Sequence, residues 1–229
     1  MDFQNLQKKL DIKFKDEKLL QQAFVHRSYL NENPAFELGH NERLEFLGDA
    51  VLELVVTEYL YKNYPDLAEG EMTSLRAALV NSIMLSKISD KLDFNNFLLL
   101  SKGEAKEIGK GRQYILANTF EAFVGALYLD RGYKSAQDFI YKNLIPELGD
   151  IIEKKLWRDA KSLFQEAAQE RVGITPTYEV MSESGPDHAK KFVVGVHLEK
   201  EMVAKGEGSS KNEAQQKAAE NALDVKRWH

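Results

Sequence analysis

The sequence lacks the residues and segments that would assign several function classes directly. There is no cysteine among its 229 residues, which excludes a disulfide scaffold, a cysteine-based zinc or iron–sulfur site and a cysteine nucleophile. No apolar run reaches the ~20 residues that a membrane-spanning helix needs, and the first residues contain no signal-peptide core. We therefore expect a cytoplasmic protein without a membrane partner.

Positive charge is also not in excess. The chain has 31 Lys and Arg against 36 Asp and Glu, which gives a net charge of −5. From Asp159 onward there are 10 basic and 12 acidic residues (net −2), and the remaining 21 and 24 give −3. A nucleic-acid binder usually carries a basic surface, so such a function requires lysines gathered on one face. The candidates for that face are Lys190, Lys191, Lys211 and Lys217.

The spacing of apolar residues divides the chain in two. Over residues 1–150 apolar side chains recur every three or four positions, which predicts an all-helical domain. A charged stretch over 150–162 contains the predicted boundary. Over 156–227 we predict the order α-β-β-β-α, a small α+β domain in which one sheet face packs on both helices.

Local patterns give the elements of this second domain. A short helix is predicted over Leu163–Val172, ending at Gly173. The predicted strands are Thr177–Glu183, a period-two strand over 192–198, and Met202–Lys205, with turns at 184–188 and at Gly206–Gly208. Ser210 and Glu213 are spaced as a capping box, which opens an alanine-rich helix that continues to Leu223.

One helix of the first domain combines apolar and acidic residues. The stretch Asn41–Val56 reads NERLEFLGDAVLELVV, and 3.6 residues per turn place Glu42, Glu45 and Asp49 within about 60° of arc. Its remaining side chains are apolar on nearly every side, so we expect this helix to be buried. Ionised carboxylates on a buried helix repel each other and require a compensating cation.

A second helix, predicted over Tyr114–Asp130, has the same character. Asn118 and Glu121 are three positions apart, and Gly125 on the same arc allows another backbone to approach closely. Two such helices facing each other gather four oxygen ligands, namely Glu45, Asp49, Asn118 and Glu121. Hard oxygen ligands select Mg²⁺, with Mn²⁺ as a substitute. The alternative interpretation is that these are solvated acids on amphipathic helices.

Several sequence blocks resemble bacterial ribonuclease III over essentially the whole chain. NERLEFLGD at Asn41–Asp49 matches the family signature, and His26–Tyr29, Glu71–Arg76 and Phe120–Tyr128 align with further family blocks. The C-terminal region resembles a double-stranded RNA-binding domain, with Gly185–His188 in its loop and Ser209–Ala219 at its last helix. The resemblance implies an all-α endonuclease domain over 1–150, followed by a small α+β (α-β-β-β-α) double-stranded RNA-binding domain over 156–227.

The same resemblance implies the reaction and the partners. It implies an endoribonuclease that cleaves both strands of double-stranded RNA to 5′-phosphate and 3′-hydroxyl ends with short 3′ overhangs, acts in the processing of rRNA, mRNA and other structured RNA, and forms a homodimer through the helical domain. Glu45, Asp49 and Glu121 take the family's catalytic acidic positions. In our hypothesis of Mg²⁺-assisted hydrolysis, Glu45, Asn118 and Glu121 bind the metal, Asp49 and Glu121 are catalytic, and Glu42 supports the ligands.

The C-terminal domain would hold the duplex by its shape, across the minor groove. We expect contacts to 2′-hydroxyls from Gln165 and Glu166, a minor-groove contact from His188, and phosphate contacts from Ser210 and Lys211 at a helix N-terminus.

Asn118 is the one important departure from the family pattern, which has aspartate at this position. Asparagine keeps an oxygen ligand but loses a negative charge, so metal affinity should fall. Three hypotheses remain at this point: an active nuclease, a double-stranded RNA-binding protein whose cleavage Asn118 impairs, and a helical interaction protein with a chance acidic cluster.

Overall fold

The computed structural model describes residues 2–154, 157, 159–186 and 190–228. The chain forms two compact units, Met1–Trp157 and Arg158–His229. No helix in the described ranges is long and apolar enough to cross a membrane.

The first unit is built from helices, as predicted for this part of the chain. They are α1 (Phe3–Leu10), α2 (Glu17–Ala23), α3 (Arg27–Glu32), α4 (Glu42–Asn63), α5 (Glu69–Leu79), α6 (Ser82–Lys91), α7 (Lys110–Arg131), α8 (Tyr133–Asn143) and α9 (Glu147–Glu153). Short 3₁₀ turns at Phe94–Phe97 and Glu104–Lys106 lie between α6 and α7. The two longest helices, α4 and α7, have 22 residues each and pack along one another.

Helix α7 lies at the centre of this unit, and aromatic rings surround it. Phe120 and Phe123 of α7 are fully buried and contact Phe94 and Phe139, while Phe24 packs on Phe94 and Phe123. Each such ring contributes about 1.5–3 kcal/mol by burial. The core therefore holds α7 rigidly, along with any polar residue on the side of α7 that faces α4.

Helix α4 is not buried all round, and this part of the prediction was wrong. Val51, Leu52, Val55 and Val56 are buried against the core, but the opposite side of the helix is open. The exposed side carries large apolar residues: Phe46 is 82% exposed, Leu54 57% and Tyr61 74%. One apolar side of α4 packs on the core of its own chain. The other apolar side is exposed to solvent in a single chain.

The second unit has the predicted order, α10 (Ala160–Val172), β1 (Thr177–Ser184), β2 (Lys191–Leu198), β3 (Glu201–Gly208) and α11 (Lys211–Lys226). The strands form an antiparallel sheet in the order β1-β2-β3. Val194 and Val196 of β2 are fully buried, as are Phe164 of α10 and Ala218 of α11. The fold class is thus confirmed as an all-α part followed by a small α+β domain.

The predicted tight turn at Gly206–Gly208 was wrong, because β3 continues through both glycines. A Cβ on Gly206 would lie 2.1 Å from the backbone nitrogen of Ala218, and one on Gly208 would lie 2.6 Å from that of Ala214. These glycines let the strand pass directly under α11, which is a reason for glycine other than a turn.

Helix ends in this unit follow the predicted signals closely. Gly173 adopts a left-handed conformation (φ 71°) directly after α10. At α11 the Ser210 hydroxyl accepts from the Glu213 N–H at 3.2 Å. The return bond differs from a standard capping box by one residue, since the Glu213 carboxylate accepts from the N–H of Ser209 at 2.7 Å.

Candidate functional site

Two glycines set the distance between α4 and α7 at the point where the helices cross. A Cβ on Gly48 would lie only 1.7 Å from the carbonyl oxygen of Glu121, and one on Gly125 would lie 2.2 Å from that of Leu44. Neither position has room for any side chain, so the two backbones are in direct contact. Gly125 was predicted to allow a close approach; its partner Gly48 was missed, although a glycine in the middle of an apolar helix was a usable signal.

This crossing brings the four predicted side chains together. Glu45 and Asp49 flank Gly48 on α4, whereas Asn118 and Glu121 precede Gly125 on α7 by one to two turns. The Asn118 amide on α7 is near enough to the Glu45 carboxylate on α4 to lower the pKa of that carboxyl. Glu45, Asn118 and Glu121 are half-buried, whereas Asp49 is exposed. The four residues thus lie at one helix crossing, with Asp49 at its solvent side.

Burial and like charge act together on the carboxylates of this site. Burial raises the pKa of Glu121 to about 8, and the charges of Asp49 and Glu45 add to the effect. Burial also raises the pKa of Glu45, with the Glu42 and Asp49 charges acting in the same direction and the Asn118 hydrogen bond opposing them. The like charges that raise the pKa of Glu45 and Glu121 would be offset by a bound cation.

Glu42 lies at the start of α4, at the edge of this group. Its exposed carboxylate is 3.4 Å from the Arg27 guanidinium and 3.7 Å from the His40 ring. Its charge reaches Glu45, as the raised pKa of Glu45 indicates. This position is consistent with the supporting role predicted for Glu42 and not with that of a direct ligand.

The donor set of this site suits a hard divalent cation. Every donor is a carboxylate or amide oxygen, and soft or nitrogen ligands are not part of the group. Among the described residues, no three His, Asp or Glu side chains stand ready-made around one metal position. The four side chains thus suit a divalent cation by donor type and charge. Three of them are acids, and Asn118 adds a neutral oxygen donor.

The predicted RNA contacts of the second unit lie on its two helices. Gln165 and Glu166 are exposed on α10, and Ser210 and Lys211 are exposed at the start of α11. The Ser210 hydroxyl oxygen serves as the helix cap. His188 lies outside the described residues.

Two of the four candidate lysines, Lys190 and Lys211, lie near one carboxylate at the end of this unit where β2 and α11 begin. The Lys211 ammonium lies 5.8 Å from the ring centre of Phe192. Lys190 donates to Glu183 at 2.8 Å, and this hydrogen bond together with the Lys190 and Lys211 charges lowers the pKa of Glu183. Lys191 is the first residue of β2, whereas Lys217 pairs with Glu220 at 2.8 Å. Lys190 and Lys211 are thus brought together by the fold, with Glu183 between them.

Comparison with known proteins identifies the family. A profile described as Ribonuclease-III-like matches residues 16–148, and one described as a double-stranded RNA binding motif matches residues 160–226. Ribonuclease 3 of Oceanobacillus iheyensis is 46% identical over 224 residues, covering 98% of both chains. The chain belongs to the ribonuclease III family.

Other ribonuclease III proteins are similar to this chain in sequence and in structure. Ribonuclease 3 of Natranaerobius thermophilus is 47% identical over 222 residues, covering 97% of this chain and 95% of its own. The solved nuclease domain of ribonuclease III from Campylobacter jejuni is 40% identical, with a TM-score of 0.56 over 62% of this chain and 94% of that domain. Its description names a flexible region involved in dimer formation. As a ribonuclease III, the protein is an endoribonuclease with a domain that binds double-stranded RNA.

Proposed function

We propose that this ribonuclease III hydrolyses both strands of double-stranded RNA in a Mg²⁺-dependent reaction, leaving 5′-phosphate and 3′-hydroxyl ends with short 3′ overhangs. Its cellular role would be the processing of rRNA, mRNA and other structured RNA in the cytoplasm. The observation that carries this proposal is the backbone contact at Gly48, because it gathers the oxygen donors of α4 and α7 at one half-buried position.

Each residue of this site has a proposed role. Glu45, Asn118 and Glu121 hold the metal, for which Mn²⁺ can substitute, and Glu42 supports Glu45 from the edge. Mg²⁺ held by these residues would supply Lewis acidity for activating a water and the scissile phosphate. Asp49 is exposed and negative, so it can accept a hydrogen bond from the attacking water and direct it at the phosphorus.

The two parts of the chain have different proposed functions. Residues 1–150 would form the nuclease and dimerisation domain, and 156–227 the domain that grips RNA. Gln165 and Glu166 would contact 2′-hydroxyls, and Lys211 and Ser210 would contact phosphates, with His188 as a further predicted contact. Lysines such as Lys211 would contact the RNA phosphates, so binding should weaken steeply as salt rises.

A direct cleavage assay tests this function. End-labelled RNA duplex is incubated with the full chain across a Mg²⁺ titration, with single-stranded RNA and duplex DNA as controls. We expect cutting of duplex RNA only, dependent on Mg²⁺ and absent in excess chelator. Salt-sensitive duplex binding without cutting at any Mg²⁺ or Mn²⁺ concentration would contradict the proposal and support an RNA-binding protein whose cleavage Asn118 impairs.

The exposed side of α4 supports the proposed homodimer. Phe46, Leu54 and Tyr61, which we call the α4 stripe, lie within about 80° of arc on the side away from the core. An exposed apolar surface of this length is typical of an interface. The two strands of a duplex are related by a local twofold axis, so a C₂ dimer would place one site on each strand.

Substitution of Phe46 by glutamate should convert the dimer to a monomer, because a charge would be buried in the proposed interface at the most exposed residue of the α4 stripe. We expect at least a hundredfold weaker self-association, measured by analytical ultracentrifugation, and loss of coordinated double-strand cleavage. Val225→Glu is the matched control, since Val225 is 63% exposed on α11 of the other unit. Identical sedimentation of Phe46→Glu and wild-type protein would rule out this interface.

Asn118 makes the proposed metal site less negative than four acids would. The Asn118 amide is neutral, so metal binding would proceed with one negative charge fewer than at four acids. This would raise the Mg²⁺ concentration required for activity.

Asn118→Asp should thus tighten metal binding about ten- to a hundredfold, because a fourth negative charge is added close to the cation. The measurements are Mn²⁺ binding by electron paramagnetic resonance and the Mg²⁺ midpoint of cleavage. Asn96→Asp adds the same charge at an exposed position outside the site and serves as control. An unchanged Mn²⁺ affinity in Asn118→Asp would show that Asn118 is not a ligand.

A further inference from the structure

The first unit contains a cavity that shares no residue with the carboxylate site of α4 and α7. It has a volume of about 280 Å³ and lies between the turn after α1, the end of α7 and one side of α8. Its apolar lining residues are Leu10, Ile12, Leu127 and Phe139. Because one water takes up about 30 Å³, the cavity has room for a ligand of about ten non-hydrogen atoms.

The wall of this cavity carries an excess of positive charge. Its charged members are three cations and two acids, namely Lys13, Arg131, Lys142, Asp11 and Asp138. The Asp138 carboxylate is already paired at 2.6 Å with the ammonium of Lys134, which is not part of the wall. In the part of the chain that the structure describes, no acid lies within ion-pair distance of the Lys13 or Lys142 ammonium. A bound anion would therefore offset charge that the protein itself leaves in excess.

Hydrogen bonds fix the turn that forms one side of the cavity. The Arg131 guanidinium donates to the Lys13 carbonyl oxygen at 2.7 Å, which ties the turn to the end of α7. The neighbouring Asp130 carboxylate accepts from the backbone N–H groups of Lys15 and Asp16, both at 2.8 Å. Since the turn is held against α7 in this way, a ligand would bind with little further ordering of the chain.

We propose that this cavity binds a small amphiphilic anion, a carboxylate of about eight carbons. The apolar tail would pack on Ile12, Leu127 and Phe139, and the carboxylate would lie at the positive wall with Lys13 and Lys142. A concave apolar surface with a few charged groups at its rim is the usual form of a small-molecule site. Burial of the tail favours binding, whereas the ammonium groups select an anion over a cationic amphiphile.

The probe is octanoate, which matches the cavity in size and is titrated into the full chain by calorimetry. We expect a dissociation constant below about 1 mM, which is attainable for a ligand of this size. Octylammonium has the same tail with the opposite charge and should bind at least about tenfold more weakly. In ¹³C-methyl spectra the Ile12 and Leu127 signals should shift with octanoate, whereas those of Leu54 in the α4 stripe should not.

Two variants separate the charge of the wall from the space of the cavity. Lys142→Gln removes one ammonium and should weaken octanoate binding at least about fivefold. Ser135→Leu keeps every charged group but adds apolar bulk among the lining residues, so binding should be lost. Lys18→Gln is the matched control, because Lys18 is exposed on α2 outside the cavity, and it should bind octanoate as wild type does.

Thermal unfolding verifies that each variant is folded, and RNA cleavage is not a readout, so the result does not depend on the proposed function. Octanoate binding that fails to appear, or that octylammonium matches, would overturn the proposal. So would an unchanged octanoate affinity in Lys142→Gln, or methyl shifts confined to residues outside the cavity.

Discussion

Glu121→Gln should reduce cleavage of duplex RNA by about a thousandfold or more at saturating Mg²⁺. Glutamine keeps the size and one oxygen donor of the side chain, but removes the charge that would bind the metal most directly from α7. A loss of several kcal/mol of transition-state stabilisation corresponds to this factor. Single-turnover cleavage measures it, and binding to the duplex should change little, because the RNA contacts are proposed to lie in the other unit.

The same substitution should stabilise the metal-free protein, with a defined pH dependence. The pKa of Glu121 is about 8 against an ordinary value of 4.5, so between these values the folded state holds a proton that the unfolded state has lost. The wild-type free energy of unfolding therefore falls as pH rises from about 4.5 to about 8, whereas glutamine contributes no such loss. We expect Glu121→Gln to be more stable by about 1–2 kcal/mol at pH 8.5 in chelator and unchanged near pH 4.

The control for both effects is Glu153→Gln, which removes an exposed carboxylate at the end of α9. It should leave cleavage and the pH dependence of unfolding as in wild type. Cleavage by Glu121→Gln within tenfold of wild type would exclude Glu121 as a ligand. A stability difference from wild type that does not vary with pH would exclude the proposed charge repulsion.

Gly48→Ala should be the most damaging single-methyl change in the chain. The new Cβ would lie 1.7 Å from the carbonyl oxygen of Glu121 and 2.9 Å from the backbone nitrogen of Gly125, so two helical backbones would have to separate. The end of a flexible side chain could rotate away from the new methyl group, but these backbone atoms cannot. We expect a loss of more than about 4 kcal/mol, or failure of the first unit to fold.

Thermal and urea unfolding of the full chain measure this effect, and circular dichroism reports whether the helices form. Gly149→Ala is the matched control, because nothing lies within 4 Å of its Cβ in α9; it should stabilise by about 0.5–1 kcal/mol. Gly125→Ala, at 2.2 Å from the Leu44 carbonyl, should behave like Gly48→Ala. A Gly48→Ala protein as stable as wild type would mean that the helices do not cross in backbone contact.

Much of this protein could be predicted from the order of its residues. Period 3.6 and period 2 patterns separated the helical part from the α-β-β-β-α part, because each element must show one apolar side to a core. The cap at Ser210 and the stop at Gly173 depend on backbone groups within a few residues, so sequence predicts them well. The signature at Asn41–Asp49 pointed to the family, and helical spacing alone put Glu45 and Asp49 on one arc.

Other features depended on contacts between distant segments. Gly206 and Gly208 have the local signature of a turn, but they are needed because α11 lies on the strand. The amount of burial on α4 could not be predicted, since its apolar residues supply a core on one side and an open surface on the other. The meeting of Lys190 and Lys211 likewise required the sheet register that joins the start of β2 to α11.

The sequence by itself determined the two-part architecture, the family and the identity of the oxygen donors, because these follow from local periodicity and from motifs. Only the tertiary structure decided that α4 and α7 touch at Gly48 and Gly125, and that burial and the charges of Asp49 and Glu45 raise the pKa of Glu121 to about 8. The physical reason is the same in each case. Charge repulsion, burial and ligand geometry depend on distances between segments far apart in the chain, and those distances are fixed by glycine contacts and strand register.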